Sequence, residues 1–173
     1  TKIERLRCGG QGYQWIRRID DEIQNLTELT IPYTHLEHKL KELDYNQSNL
    51  KHPLLLEKLS SLEILDCSDN QLKTINLKHN IRLQKLNVSH NQLKSLDVNN
   101  CYNLSEIRCI RNKLKKLDIR HNKLLKKVTC IYTDNENKKF IIYVGDHYVE
   151  GSIDFAPNYS SYSLEKLIIK KRK

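Results

Sequence analysis

One period governs this chain. Leu62, Leu83, Leu104 and Leu125 stand 21 residues apart, and Leu65, Leu86, Ile107 and Val128 keep the same step. So do Cys67, Val88, Cys109 and Cys130, then Asn70, Asn91 and Asn112, then Leu72, Leu93 and Leu114. Self-similarity at a fixed period of this size is the signature of a solenoid, in which each repeat is one turn stacked on its neighbours. Composition fits that reading. Only 38% of the 173 residues are hydrophobic, a thin supply for a globule but enough for a narrow interior stripe. The sequence holds no apolar run of about 18 residues, so it offers no membrane-spanning helix.

Each regular coil divides again. Leu62, Leu65, Cys67 and Asn70 are echoed ten residues later by Leu72, Ile75, Leu77 and Asn80. The echo recurs at Leu93, Leu96 and Val98 and at Leu114, Leu117, Ile119 and Asn122. Apolar residues alternating with polar ones are a strand pattern. Both sides of the coil are therefore predicted to be extended, with short strand on the convex side and no helix there. The asparagines at 70, 91 and 112 fall at the tight turn after each strand. An inward amide there satisfies backbone groups of its own and a neighbouring coil, so the series reads as structural.

The pattern L-x-x-L-x-[C/V]-x-x-N-x-L resembles the leucine-rich repeat. With cysteine at the sixth position it is similar to the short bacterial type that carries an interior cysteine ladder. The resemblance covers residues 3–133, strictly in register over 62–130. It implies a β-rich member of the α/β class: a right-handed solenoid with a concave parallel sheet, short extended convex segments and recognition of another protein through the concave face. It names no partner, since one fold hosts many functions.

Taken in order, Ile3 to Cys8 matches the first strand. Gly9-Gly10-Gln11-Gly12 then lets the chain turn; it lacks the spacing of a phosphate-binding loop. Trp15, Ile16, Ile19, Ile23 and Leu26 recur at helical spacing and predict a helix over 13–25. Coils are expected to open at Leu26 and at Leu40, the first cramped because Leu40 follows after only 14 residues. The count is about seven coils. Past Cys130 the pattern breaks, and Phe140–Val144 and His147–Val149 around Gly145-Asp146 predict a hairpin. Residues 163–169 read as a helix or a terminal strand. The predicted organisation is a solenoid over 1–137 and, over 138–173, a C-terminal cap with a basic tail, because a solenoid must cover its last coil.

Net charge is +9, with +1 in residues 1–86 and +8 in residues 87–173. Such asymmetry is compatible with an acidic partner, although solvated basic clusters are common. The five cysteines do not form a disulfide framework. Cys8, Cys67, Cys109 and Cys130 occupy interior positions and behave as small buried hydrophobes. Reduced thiols and the lack of a visible signal peptide in TKIERLRCGG point to an intracellular setting, with a virion or host-cell component as the alternative. The chain opens on Thr1, which leaves room for an excised signal.

No catalytic set emerges that the repeat does not explain, so the expectation is a non-enzyme without cofactor or metal. His79 and His121 share one repeat position two coils apart, roughly 10 Å, too far to share a metal. Asp66, Asp69 and His90 sit on neighbouring coils and are placed to meet, but no nucleophile accompanies them.

With the first leucine of a coil as position 1, positions 3, 5, 7 and 8 face the concave solvent side. Asp44, Asp66 and Asp69 make its middle acidic. Arg108, Ile110, Arg111, Ile131 and Tyr132 make its C-terminal end basic and apolar, the composition of an interface hot spot unless the cap covers the isoleucines. Together with Asp66, Asp69, Asn87 and His90 these are the candidate partner-binding residues. Lys73, Lys94 and Lys115 form a like-charged column elsewhere, a candidate contact for nucleic acid or another polyanion. A permanent structural subunit of a larger assembly, such as a virion or scaffold, is the third reading.

Overall fold

The protein is described by a computed structural model, in which residues 5–7, 40–47, 51, 56–130, 139–150 and 166–171 are described. Six three-residue strands form one parallel sheet: β1 (Arg5–Arg7), β2 (Glu42–Asp44), β3 (Ile64–Asp66), β4 (Lys85–Asn87), β5 (Glu106–Arg108) and β7 (Lys127–Thr129). The register is the sequence period made physical. Leu43 pairs with Leu65, Leu65 with Leu86, Leu86 with Ile107 and Ile107 with Val128. The rungs continue beyond each strand, as Cys67 N–H donates to the Asn87 carbonyl at 2.9 Å and Val88 N–H to that of Arg108 at 2.8 Å.

The solenoid makes about four turns, fewer than the seven coils expected. β1 pairs directly with β2, Leu6 opposite Leu43, which leaves no rung between them for a coil opening at Leu26. The physical reason is length. A step of 14 residues cannot carry a strand, a turn and a full return where the regular coils use 21. The helix expected over 13–25, the glycine-rich turn at 9–12 and Cys8 lie outside the described residues.

Among the described residues the one helical element is a 3₁₀ turn at Leu56–Lys58. The convex side is extended, as the echo in the sequence predicts. Leu72, Leu77, Leu93, Leu96, Val98, Leu114, Leu117 and Ile119 all point into the core. Successive convex segments are joined by single backbone bonds, Gln92 N–H to Leu72 C=O and Lys113 N–H to Leu93 C=O, both at 2.8 Å, and not by a ladder. Only β6 (Lys116–Asp118) becomes a strand, because β8 (Lys139–Val144) supplies a partner. β9 (Lys166–Lys171) lies on the far side of β8, and all three run parallel.

This second sheet overturns the predicted hairpin. Residues 147–149 are not a strand; Tyr148 N–H donates to the Gly145 carbonyl at 3.1 Å and closes a turn. The alternation of Phe140, Ile142 and Val144 is satisfied instead by facing the core beyond β6, where all three are fully buried. Gly145 is required at the turn, since a Cβ would lie 2.8 Å from the Arg120 carbonyl oxygen. Of the two readings of residues 163–169, the terminal strand is the one found, as β9.

One continuous core runs through the molecule from Leu40 to Tyr148. Cys67, Cys109 and Cys130 lie inside it as the interior positions require, all free thiols. No helix among the described residues is long and apolar enough to cross a membrane.

Candidate functional site

The turn that follows each concave strand sets every candidate side chain on that face. The position-5 carboxylate or amide closes it. Asp44 Oδ1 accepts from Asn46 N–H at 3.2 Å, Asp66 Oδ1 from Ser68 N–H at 3.0 Å and Asn87 Oδ1 from Ser89 N–H at 3.2 Å. Position 8 then takes a left-handed backbone in each coil. Gln47, Asp69, His90 and Arg111 have φ of 52°, 54°, 55° and 51°. L-residues rarely adopt this conformation, and here the asparagine at position 9 holds it. Asn91 Nδ2 donates to the carbonyls of Cys67, Val88 and Ser89, and Asn112 Nδ2 to those of Val88, Cys109 and Ile110. The amide oxygens complete the bridge, since Leu72 N–H donates to Asn91 Oδ1 at 2.9 Å and Leu93 N–H to Asn112 Oδ1 at 3.0 Å.

This geometry reassigns part of the predicted site. Asp66 is a turn-builder, accepting from Ser68 N–H, from Ser68 Oγ at 2.6 Å and from Asn87 Nδ2 at 2.9 Å. Its carboxylate is largely engaged within the fold, and so is the Asn87 amide. Asp69 and His90 do meet across adjacent coils, with Nδ1 3.2 Å from Oδ1, and both remain partly open to solvent.

At Arg108 the position-5 series stops. Arginine has no short acceptor to close the turn, so its side chain is released from that task. It is exposed and donates from Nε to Glu106 Oε1 at 2.7 Å. Arg111 is exposed as well, and Ile110 between them is half-buried. Glu106 was not among the candidates. The two-residue alternation of a strand, which puts 106 and 108 on one face, was the signal that identifies it. Ile131 and Tyr132 lie outside the described residues.

A second ladder also escaped the sequence reading. Asn80, Cys101 and Asn122 are 21 residues apart on the convex side. Asn80 Nδ2 donates to the carbonyls of Leu56 and Leu59, and Asn122 Nδ2 to those of Val98 and Cys101, at 2.8–2.9 Å. Cys101 breaks the run of amides, which is what hid it. Lys73, Lys94 and Lys115 are all exposed, one per coil. His79 and His121 are exposed too, and His121 Nδ1 lies 3.1 Å from Asn99 Oδ1. Among the described residues no group of three or more His, Cys, Asp or Glu side chains is placed to hold a metal.

The buried thiols are chemically quiet. Burial pushes Cys67 and Cys101 up to about 12. Cys109 is raised by its hydrogen bond with Cys130 and by burial. The thiolate is the reactive species, and almost none exists at pH 8 in such sites. In a Cys8→Ser background, Ellman's reagent at pH 8 is therefore expected to find no reactive thiol in the folded protein and four after guanidinium unfolding. Prompt labelling of Cys67 or Cys109 in the folded state would contradict the packing.

A family model described as Leucine Rich Repeat matches residues 82–111. Among solved structures, one described as the functional domain of InlJ from Listeria monocytogenes, including a cysteine ladder, is similar with a TM-score of 0.52 and 30% identity. That match covers 54% of this chain and 20% of the InlJ chain. Comparison with curated proteins finds no match. The period, the parallel rungs, the asparagine bridges and these two likenesses agree: the chain is a leucine-rich-repeat protein.

Proposed function

We propose that this chain is a non-enzymatic binding module that captures another protein on the C-terminal part of its concave face. The leucine-rich-repeat fold indicates a protein-interaction module in general. The observation that supports this particular surface is the break at Arg108. Every described position-5 residue before it, Asp44, Asp66 and Asn87, spends its side chain on its own turn. Arg108 does not, and it stands with Arg111 and half-buried Ile110 as an arginine-rich, partly apolar patch. Arginine beside apolar surface is the usual make-up of an interface anchor. Asp69 and His90 lie beside the patch as its polar margin.

The test is a crosslinking pull-down read by quantitative mass spectrometry, comparing wild type with the Arg108→Ala/Arg111→Ala double variant. Both residues are exposed, so melting should not change. Prey specific to the wild type is expected to fall about tenfold, the effect of losing about 1.4 kcal/mol. Prey retained at wild-type level would place the binding site elsewhere.

A second reading has one observation in its favour. The exposed Lys73, Lys94 and Lys115 column would draw a polyanion. Retention on immobilised RNA or DNA with a steep salt dependence supports it; failure to bind at low salt removes it.

A further inference from the structure

We propose that one flank of the solenoid, where each coil returns to its concave strand, is a separate docking surface for an extended acidic peptide bearing an apolar side chain. Three large apolar residues are left out of the core here. Ile81, Tyr102 and Leu124 are 49%, 53% and 56% exposed. Ile81 and Tyr102 occupy the same place in successive coils, and Leu124 is one step beyond that place in the next. Asn103 Nδ2 donates to the Ile81 carbonyl at 3.2 Å, which fixes one coil against the other. Single exposed apolar residues need no explanation, but a line of them on one flank does.

Beside Leu124 the flank is hollowed into a groove of about 600 Å³. Its lining includes Asn103, Ser105, Lys123, Leu124, Lys126 and His147, and no carboxylate is among the residues that line it. Neither Lys123 nor Lys126 is ion-paired among the described residues. Along position 2 of successive coils the side chains run Glu63, Gln84, Ser105 and Lys126, so negative charge is confined to the far end. Glu63 is there hydrogen-bonded by Gln84 Nε2 at 3.4 Å.

Two uncompensated ammonium groups flanking an exposed leucine complement a carboxylate-rich segment with one apolar anchor. A nucleic acid fits less well, because Tyr102 is the one aromatic ring exposed on this flank and base stacking needs several. The flank is independent of the concave patch, so either can stand without the other.

The experiment is fluorescence anisotropy with a labelled short glutamate-rich peptide carrying a single central leucine. The wild-type chain is expected to bind it with an affinity that falls as salt is raised. Lys123→Glu/Lys126→Glu and, separately, Leu124→Ser should each weaken binding about tenfold or more. Arg108→Ala/Arg111→Ala should leave it unchanged, which separates this surface from the concave one. Replacing the peptide's glutamates by glutamine, or its leucine by serine, should abolish binding. The inference is overturned if the peptide does not bind, if either flank variant binds as wild type, if the altered peptides bind equally, or if single-stranded DNA of the same charge binds more tightly.

Discussion

Asn91→Ala is expected to cost about 3–5 kcal/mol of stability, far more than an exposed polar substitution. The side chain makes four bonds to backbone. Its Nδ2 reaches the carbonyls of Cys67, Val88 and Ser89, and its Oδ1 receives Leu72 N–H. The carbonyls each keep a second partner, from Asn70 Nδ2, Asn112 Nδ2 and Asp69 N–H respectively. Leu72 N–H has no such substitute and would be orphaned in the core, at a cost of about 1–3 kcal/mol, with the lost amide bonds adding about 1 kcal/mol each. Asn91→Asp should fare no better, because its carboxylate would face three carbonyl oxygens at 2.9–3.2 Å. Urea unfolding followed by circular dichroism measures the effect. A loss below about 1 kcal/mol would mean the amide bridges are dispensable. A fall in the slope with denaturant would show the coils on either side unfolding separately.

The second large effect concerns the residues after the repeats. Phe140→Ala is expected to cost about 3–5 kcal/mol, as for other fully buried aromatics. Phe140, Ile142 and Val144 are buried in the same continuous core as the repeats, and β8 is held through β6, with Ile119 N–H donating to the Tyr143 carbonyl at 2.9 Å. If this segment is integral, calorimetry of Phe140→Ala should show one transition moved to lower temperature. A detachable cap would instead melt early and leave the repeats at their wild-type midpoint.

Much of this molecule could be read from residue spacing. The pairing of Leu65 with Leu86 and Ile107, the inward Cys67, Val88 and Cys109, and the inward asparagines all follow from period alone. Period fails where the chain stops repeating. The segment at Leu26 carries the right letters but too short a return to form a rung. Phe140–Val144 reads as half a hairpin because a parallel partner 25 residues away leaves no local mark. The site was less legible than the fold. Asp66 and Arg108 share a repeat position, and alternation alone cannot tell a carboxylate that closes its own turn from an arginine released from that duty. The exposed flank at Ile81, Tyr102 and Leu124 was invisible for a related reason: nothing in the period says which turn residues the core leaves outside.

The bridges made by Asn91 and Asn112 are near-copies, each running from one coil to the coil before it at 2.9 Å. None of these contacts extends past its nearest neighbour. Length is therefore a free variable of the architecture. A gene duplicating residues 83–103 would encode a taller molecule with every bond already provided for, and its binding surface would be redrawn without any of the old side chains having moved.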